Sequence, residues 1–234
     1  MNKVLEEAKK IRRYLHMYPE LGFDLRVTGD YIESYLQNIG IETERIAGTG
    51  VIAYIHGRDK TKPILALRSD MDACAVHEDT NLEFKSKNKG VMHACAHDAH
   101  MAILLTLAKY LSEERIPEGN IKLIFQPAEE IGAGAKVMIA AGVLDDVEAI
   151  IGYHLWPEWE PGVIQVNDGI QMAGSDRFHI TLTGRGGHGA YPFKASNPIS
   201  GAAEICLGIN MILSRVLKTL DYATLSIGKI ESGT

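Results

Sequence analysis

Four short apolar runs, separated by segments of helical periodicity, restrict this chain to a layered α/β fold. The runs are Val51-Ile52-Ala53-Tyr54-Ile55, Ile64-Leu65-Ala66-Leu67, Ile121-Lys122-Leu123-Ile124-Phe125 and Ala149-Ile150-Ile151-Gly152-Tyr153-His154. Each is too short for a helix and rich in branched residues, so each predicts a strand, the second buried on both faces. Ahead of them, Val4, Leu5, Ala8, Ile11 and Leu15 recur at helical spacing up to Pro19. A second helix follows Thr28 through Tyr31, Ile32, Tyr35 and Leu36, with Gly40 placed to end it. His97 to Leu111 and Ala135 to Ala141 predict two more helices, the latter closed by Gly142. Strands alternating with helices indicate α/β layers.

The pattern changes near Gly174. Phe178, Ile180 and Leu182 alternate as in a half-exposed strand, a glycine-rich turn follows, Asn197 to Leu217 predicts an amphipathic helix, and Thr224 to Gly228 a further strand. We therefore expect two domains, 1–173 and 174–234.

Composition excludes several classes. With 46% hydrophobic and 23% charged residues the chain is globular rather than disordered. Lys plus Arg is 24 and Asp plus Glu 30, a net charge of −6 with no basic run, so nucleic acid is not an expected partner. No apolar stretch approaches the roughly 18 residues of a membrane span, and the early acids Glu6 and Glu7 argue against a secretory signal. Three cysteines, an odd number, suit a reducing cytoplasm better than a disulfide framework.

The chemistry concentrates in five places. Met92-His93-Ala94-Cys95-Ala96-His97-Asp98-Ala99-His100 holds three histidines, a cysteine and an aspartate, the usual donors for zinc and similar metals. Cys95 and His97, two apart, can share a pocket, and Asp98 can accept from an imidazole. Gln126-Pro127-Ala128-Glu129-Glu130 sets two carboxylates at a strand's carboxyl end, where open α/β sheets place active sites; taken alone, such a pair is more often an exposed acidic turn. His154 ends an apolar strand, as either a ligand or a satisfied core histidine. Asp70 and Asp72 follow another strand, where they orient ligands, pair with Arg68 or cap a helix. Gly184-Arg185-Gly186-Gly187-His188-Gly189 leaves His188 at the apex of a flexible turn. Cys74 and Cys206 read as core thiols.

These segments, in this order and together with Arg13-Tyr14-Leu15-His16 and Pro19-Glu20, resemble the amidohydrolase subgroup of the aminoacylase/carboxypeptidase metallopeptidase family, which includes hippurate hydrolases, N-acyl-amino-acid amidohydrolases and N-acetyldiaminopimelate deacetylases. The resemblance implies a zinc-exopeptidase-like three-layer α/β catalytic domain with an inserted α+β, ferredoxin-like lid or dimerisation domain, here incomplete. It implies two divalent metal ions (zinc, manganese, cobalt or nickel) held by Cys95, His97, Glu130 and His154. Glu129 becomes the general base, His188 the residue that helps stabilise the oxyanion, and Asp72, with Asp98, a support behind the ligands. The implied reaction is hydrolysis of N-acyl amino acids by a metal-activated water, in a homodimer joined through the lid. Three departures stand out. Ala73-Cys74-Ala75 replaces the family's Ala-Leu-Pro, Ala96 and Ala99 replace glycines, and family members run well past Thr234 to a further histidine ligand. A rival expectation is thus a truncated, inactive relative with a partial metal site. A cysteine hydrolase using Cys95 and His97 lacks the separate base and orienting residue of a triad.

Overall fold

The computed structural model describes residues 2–113, 116–215 and 223–233. They form two compact units, Met1–Glu160 and Pro161–Thr234. The first holds helices α1 (Asn2–Met17), α2 (Arg26–Asn38), α3 (His97–Glu113) and α4 (Gly134–Ala140), and strands β1 (Thr43–Ile46), β2 (Gly50–Ile55), β3 (Ile64–Asp70), β4 (Asn120–Gln126) and β5 (Val147–Gly152). Helix α2 ends as its sequence predicts: Gly40 takes φ 79°, its N–H reaches the Gln37 carbonyl at 3.0 Å, and the Ile41 N–H reaches that of Leu36 at 2.9 Å.

The strands form one mixed sheet in the order β1-β2-β4-β3-β5. β1 and β2 run antiparallel, as do β2 and β4, whereas β3 is parallel to both β4 and β5. Alternation divides the side chains between two cores. Val51, Ala53 and Ile55 of β2 and Ile121, Leu123 and Phe125 of β4 pack with Ile11, Leu15, Ile32, Leu36, Met101 and Leu105 of α1, α2 and α3. The opposite face buries Ile52, Ala66 and Ile124 with Met138 and Val143 of α4 and its C-terminal turn. Helices on both faces of a sheet are the three layers expected from the sequence. Lys122 lies on the α4 side, almost wholly buried, and its Nζ reaches Asp146 at 2.7 Å.

Two strand expectations change. β3 is only partly buried at Ile64, Leu65, Leu67 and Arg68, because its neighbour β5 is an edge strand whose Ile150 and Ile151 are exposed. β1 carries no strong apolar alternation and becomes a strand by pairing with β2.

The second unit holds one 3-10 turn (Pro192–Lys194) and α5 (Pro198–Arg215). Val216 and Leu217, the last residues of the predicted helix, lie outside the described residues. The segments 177–184 and 224–228 form no strand among the described residues, since neither finds a partner to build a ladder with. A two-residue bridge joins Arg185 to Ser196 and closes the glycine-rich turn. Among the described residues, no helix is long and apolar enough to cross a membrane.

Candidate metal centre

The sheet explains why the motifs converge. The three parallel strands end on one side of the sheet, β3 and β4 level with Asp70 opposite Gln126, and β5 two residues earlier with Gly152 opposite Arg68. The segment after β3 carries Asp72 and Cys74, that after β4 carries Glu129 and Glu130, and that after β5 carries His154. His97 opens α3 at the same carboxyl edge, where open α/β sheets bind their ligands.

Both ligand-bearing turns pass through the left-handed region at an alanine. Ala96, between Cys95 and His97, has φ 63°, and Ala128, before Glu129, has φ 53°. Such backbone costs an L-residue about 1–2 kcal/mol and is held by surrounding bonds. After Ala128 the chain folds back tightly: the N–H groups of Ala133 and Gly134 both reach the Ala128 carbonyl at 3.1 Å. A Cβ at Gly134 would fall 1.6 Å from the Pro127 carbonyl oxygen, so this turn requires glycine.

His97 is the centre of the cluster and is 1% exposed. Its Nδ1 lies 2.7 Å from the Asp72 carbonyl oxygen, which can only accept, so Nδ1 carries the proton. Nε2 has no hydrogen-bond partner. It faces Asp70 Oδ2 at 3.5 Å, Glu130 Oε1 at 3.8 Å and Glu129 Oε2 at 3.9 Å. A bare lone pair aimed at carboxylate oxygens is unfavourable until a cation stands between them, so the residues present fit a divalent metal. Cys95, His97 and His154 form one group of mutually close donor atoms, and His97, Glu129 and Glu130 another. His154 Nδ1 donates to the Leu155 carbonyl at 2.6 Å, leaving Nε2 to accept from Cys95 Sγ at 3.4 Å. The four ligand residues expected from the sequence thus lie around one locus. Glu129 has 42% of its side chain exposed, against 26% for Glu130, so Glu129 is the more open to solvent.

Asp72 accepts the backbone N–H of Glu129 on Oδ1 at 2.8 Å and that of Glu130 on Oδ2 at 3.1 Å. It orients both the ligand turn and, through its carbonyl, His97. Burial pushes its carboxyl above the usual range, against the lowering effect of those two N–H groups. Asp98 faces elsewhere. It accepts from His16 Nδ1 at 2.7 Å and from Arg12 Nε at 2.9 Å, so the imidazole it supports is that of His16 on α1. Burial pushes Asp98 up, but the His16 hydrogen bond and the Arg12 charge hold it below the usual carboxylate range.

The other histidines of the dense motif separate by satisfaction. His100 has both nitrogens engaged, Nδ1 with Asp70 at 2.7 Å and Nε2 accepting the Leu155 N–H at 3.0 Å. It braces the residue after His154 and has no lone pair to offer. His93 is buried with neither nitrogen partnered, and burial pushes its pKa down to about 4, so it is a neutral core group. Asp70 was legible only as one acid of Asp-x-Asp; the structure adds it to the carboxylates around His97. Burial raises Asp70, but His100, His97 and Arg68 hold it low.

Cys74 is not a core thiol. It is half-buried and its Sγ donates to Glu130 Oε1 at 3.0 Å. Burial and Glu130 push its thiol up to about 12, and burial with Glu130 and Glu129 pushes Cys95 up to about 11. Cys206 is likewise half-buried, in α5. His188 belongs to the second unit, where its Nδ1 accepts the Ala190 N–H at 3.1 Å and its carbonyl the Tyr191 N–H at 2.8 Å.

Residues 66–216 match the profile of peptidase family M20/M25/M40. The chain is similar to N-acetylcysteine deacetylase of Bacillus subtilis, 42% identical over 227 residues, which are 96% of this chain and 60% of that protein. It is 41% identical to the N-acyl-L-amino acid amidohydrolase of Geobacillus stearothermophilus over 226 residues, 95% of this chain and 61% of the relative. Among solved structures it resembles a dinuclear metal-binding peptidase of the M20 family from Bacillus subtilis, with a TM-score of 0.65 and 42% identity over 68% of this chain and 45% of that one. The chain thus spans 60–61% of the length of these two curated relatives.

Proposed function

Because the chain belongs to peptidase family M20/M25/M40, we propose that it is the metal-carrying part of an amidohydrolase that releases amino acids from N-acyl amino acids. The observation that carries this reading is the bare, buried Nε2 of His97 facing Asp70, Glu129 and Glu130. Cys95, His97, Glu130 and His154 hold two divalent ions in this reading, zinc, manganese, cobalt or nickel by donor chemistry. The ions supply Lewis acidity and lower the pKa of a water to about 7.

The chain's own residues do the rest. Glu129, half open to solvent, takes the proton from that water and delivers it to the departing amine. Asp72 fixes the backbone from which Glu129 and Glu130 project. His188 donates to the oxyanion, a contribution of about 3–4 kcal/mol for a preorganised donor. Residues 1–173 serve as the catalytic domain and 174–234 as lid and dimer contact. The odd thiol count fits a reducing cytoplasm.

The test is metal stoichiometry and turnover of N-acyl amino acids on the full-length protein. We expect about two ions per chain after dialysis. Glu129→Gln retains them and lowers kcat about 10²–10⁴-fold. Near-normal turnover in that variant removes Glu129 as the base, and a wild-type protein without bound metal overturns the whole reading.

A further inference from the structure

Cys74 lies beside the proposed ligands yet belongs to no part of the expected set. It follows β3, and a two-residue antiparallel bridge ties it to the cysteine-bearing loop: its N–H reaches the Met92 carbonyl at 2.9 Å, and the Met92 N–H returns to its carbonyl at 3.0 Å. That bridge holds Cys74 beside the loop that carries Cys95. Cys74 Sγ is 3.0 Å from Glu130 Oε1. The same Oε1 lies 3.8 Å from the unpartnered Nε2 of His97, which is 1% exposed. Cys74 Sγ and His97 Nε2 therefore both lie within 4 Å of one carboxylate oxygen.

The spacing suits coordination. A thiolate at about 2.3 Å and a carboxylate oxygen at about 2.1 Å from one ion stand about 3.1 Å apart at a right angle and about 3.6 Å apart at the tetrahedral angle. The observed 3.0 Å between Cys74 Sγ and Glu130 Oε1 is close to the first. The 3.4 Å between Cys95 Sγ and His154 Nε2 falls between such values for a sulfur and a nitrogen donor.

We propose that Cys74 is a second sulfur ligand of this centre, taken up beside Glu130 when a thiophilic divalent cation binds, and that it turns the site's preference from manganese toward zinc and cadmium. Coordination replaces the S–H bond by a sulfur–metal bond and releases the proton to solvent, with no change of oxidation state. Soft sulfur donors favour zinc and cadmium over manganese, so one more thiolate changes selectivity as well as affinity. The proposal rests on the metal-centre reading above.

The experiment titrates cadmium and, separately, manganese into the metal-free full-length protein, and follows sulfur-to-cadmium charge-transfer absorption per bound ion. Wild type is compared with Cys74→Leu, Cys74→Ser and Cys95→Ser. In both Cys74 variants the band falls by about half and the cadmium-to-manganese affinity ratio drops about tenfold or more. Cys74→Ser keeps a hydrogen-bond donor to Glu130, so the same weakening of the band in that variant separates coordination from mere positioning. It also serves if the leucine variant folds poorly. A band unchanged in both Cys74 variants but weakened in Cys95→Ser overturns the proposal and leaves the metal centre intact. No band in wild type overturns the proposal together with Cys95 as a ligand.

Discussion

Removing the Asp72 carboxylate tests whether the ligand turn is held from outside or holds itself. The side chain is fully buried and its two oxygens take the N–H groups of Glu129 and Glu130 at 2.8 and 3.1 Å. Hydrogen bonds to a charged partner contribute about 1.5–3 kcal/mol each, so Asp72→Ala forfeits about 3–6 kcal/mol. The turn is half open to solvent, and water can reach the freed N–H groups, which favours the lower end of that range. Asp72→Asn is more informative. Its amide oxygen keeps one N–H, while its NH₂ group meets the other donor to donor, so it loses about 1.5–3 kcal/mol with almost no change in volume. Denaturant unfolding of the metal-free protein measures both. The same variants should bind metal about 10–100-fold more weakly, because Glu130 loses its orientation, while the Asp72 carbonyl still holds His97. A loss below about 1 kcal/mol in Asp72→Ala, with metal affinity unchanged, would refute the argument. The turn through Ala128 and Gly134 would then be self-supporting.

Two further variants probe the strain and the buried charges around the site. Ala96→Gly relieves a left-handed alanine at a cost of about 1–2 kcal/mol and adds unfolded-state entropy of about 0.5–1, so it should stabilise the chain by about 0.5–1 kcal/mol. A lower unfolding midpoint for Ala96→Gly would show that the loop is not strained there. His16 has its pKa raised, first by its hydrogen bond to Asp98, with burial opposing and Glu78 assisting. A raised folded pKa means that this stability is full below the unfolded value of about 6.5 and fades as pH rises through the folded value. His16→Gln should therefore cost about 1.5–3 kcal/mol at pH 6 and distinctly less at pH 9; an equal cost at both would remove the ion pair from the account.

Local structure follows from residue order alone. Val4 to Leu15, Tyr31 to Leu36 and His97 to Leu111 carry helical periodicity, the four apolar runs became β2 to β5, and Gly40 ends α2 as its conformational freedom predicts. The donor types after each strand were equally legible as residue types, and only their order along the chain, not any one of them alone, pointed to a metal. Features that depend on distant partners emerge only in the folded chain. β4 lies between β2 and β3, an order that no local period encodes. His97, His93 and His100 occur within eight residues, yet one keeps a bare lone pair, one is an apolar-core neutral and one is saturated by Asp70 and Leu155. Asp98 turned to His16, 82 positions away, and Cys74 to Glu130, 56 positions away. A side chain's chemical type is written in the sequence, but its availability depends on which hydrogen bonds the fold has already given it.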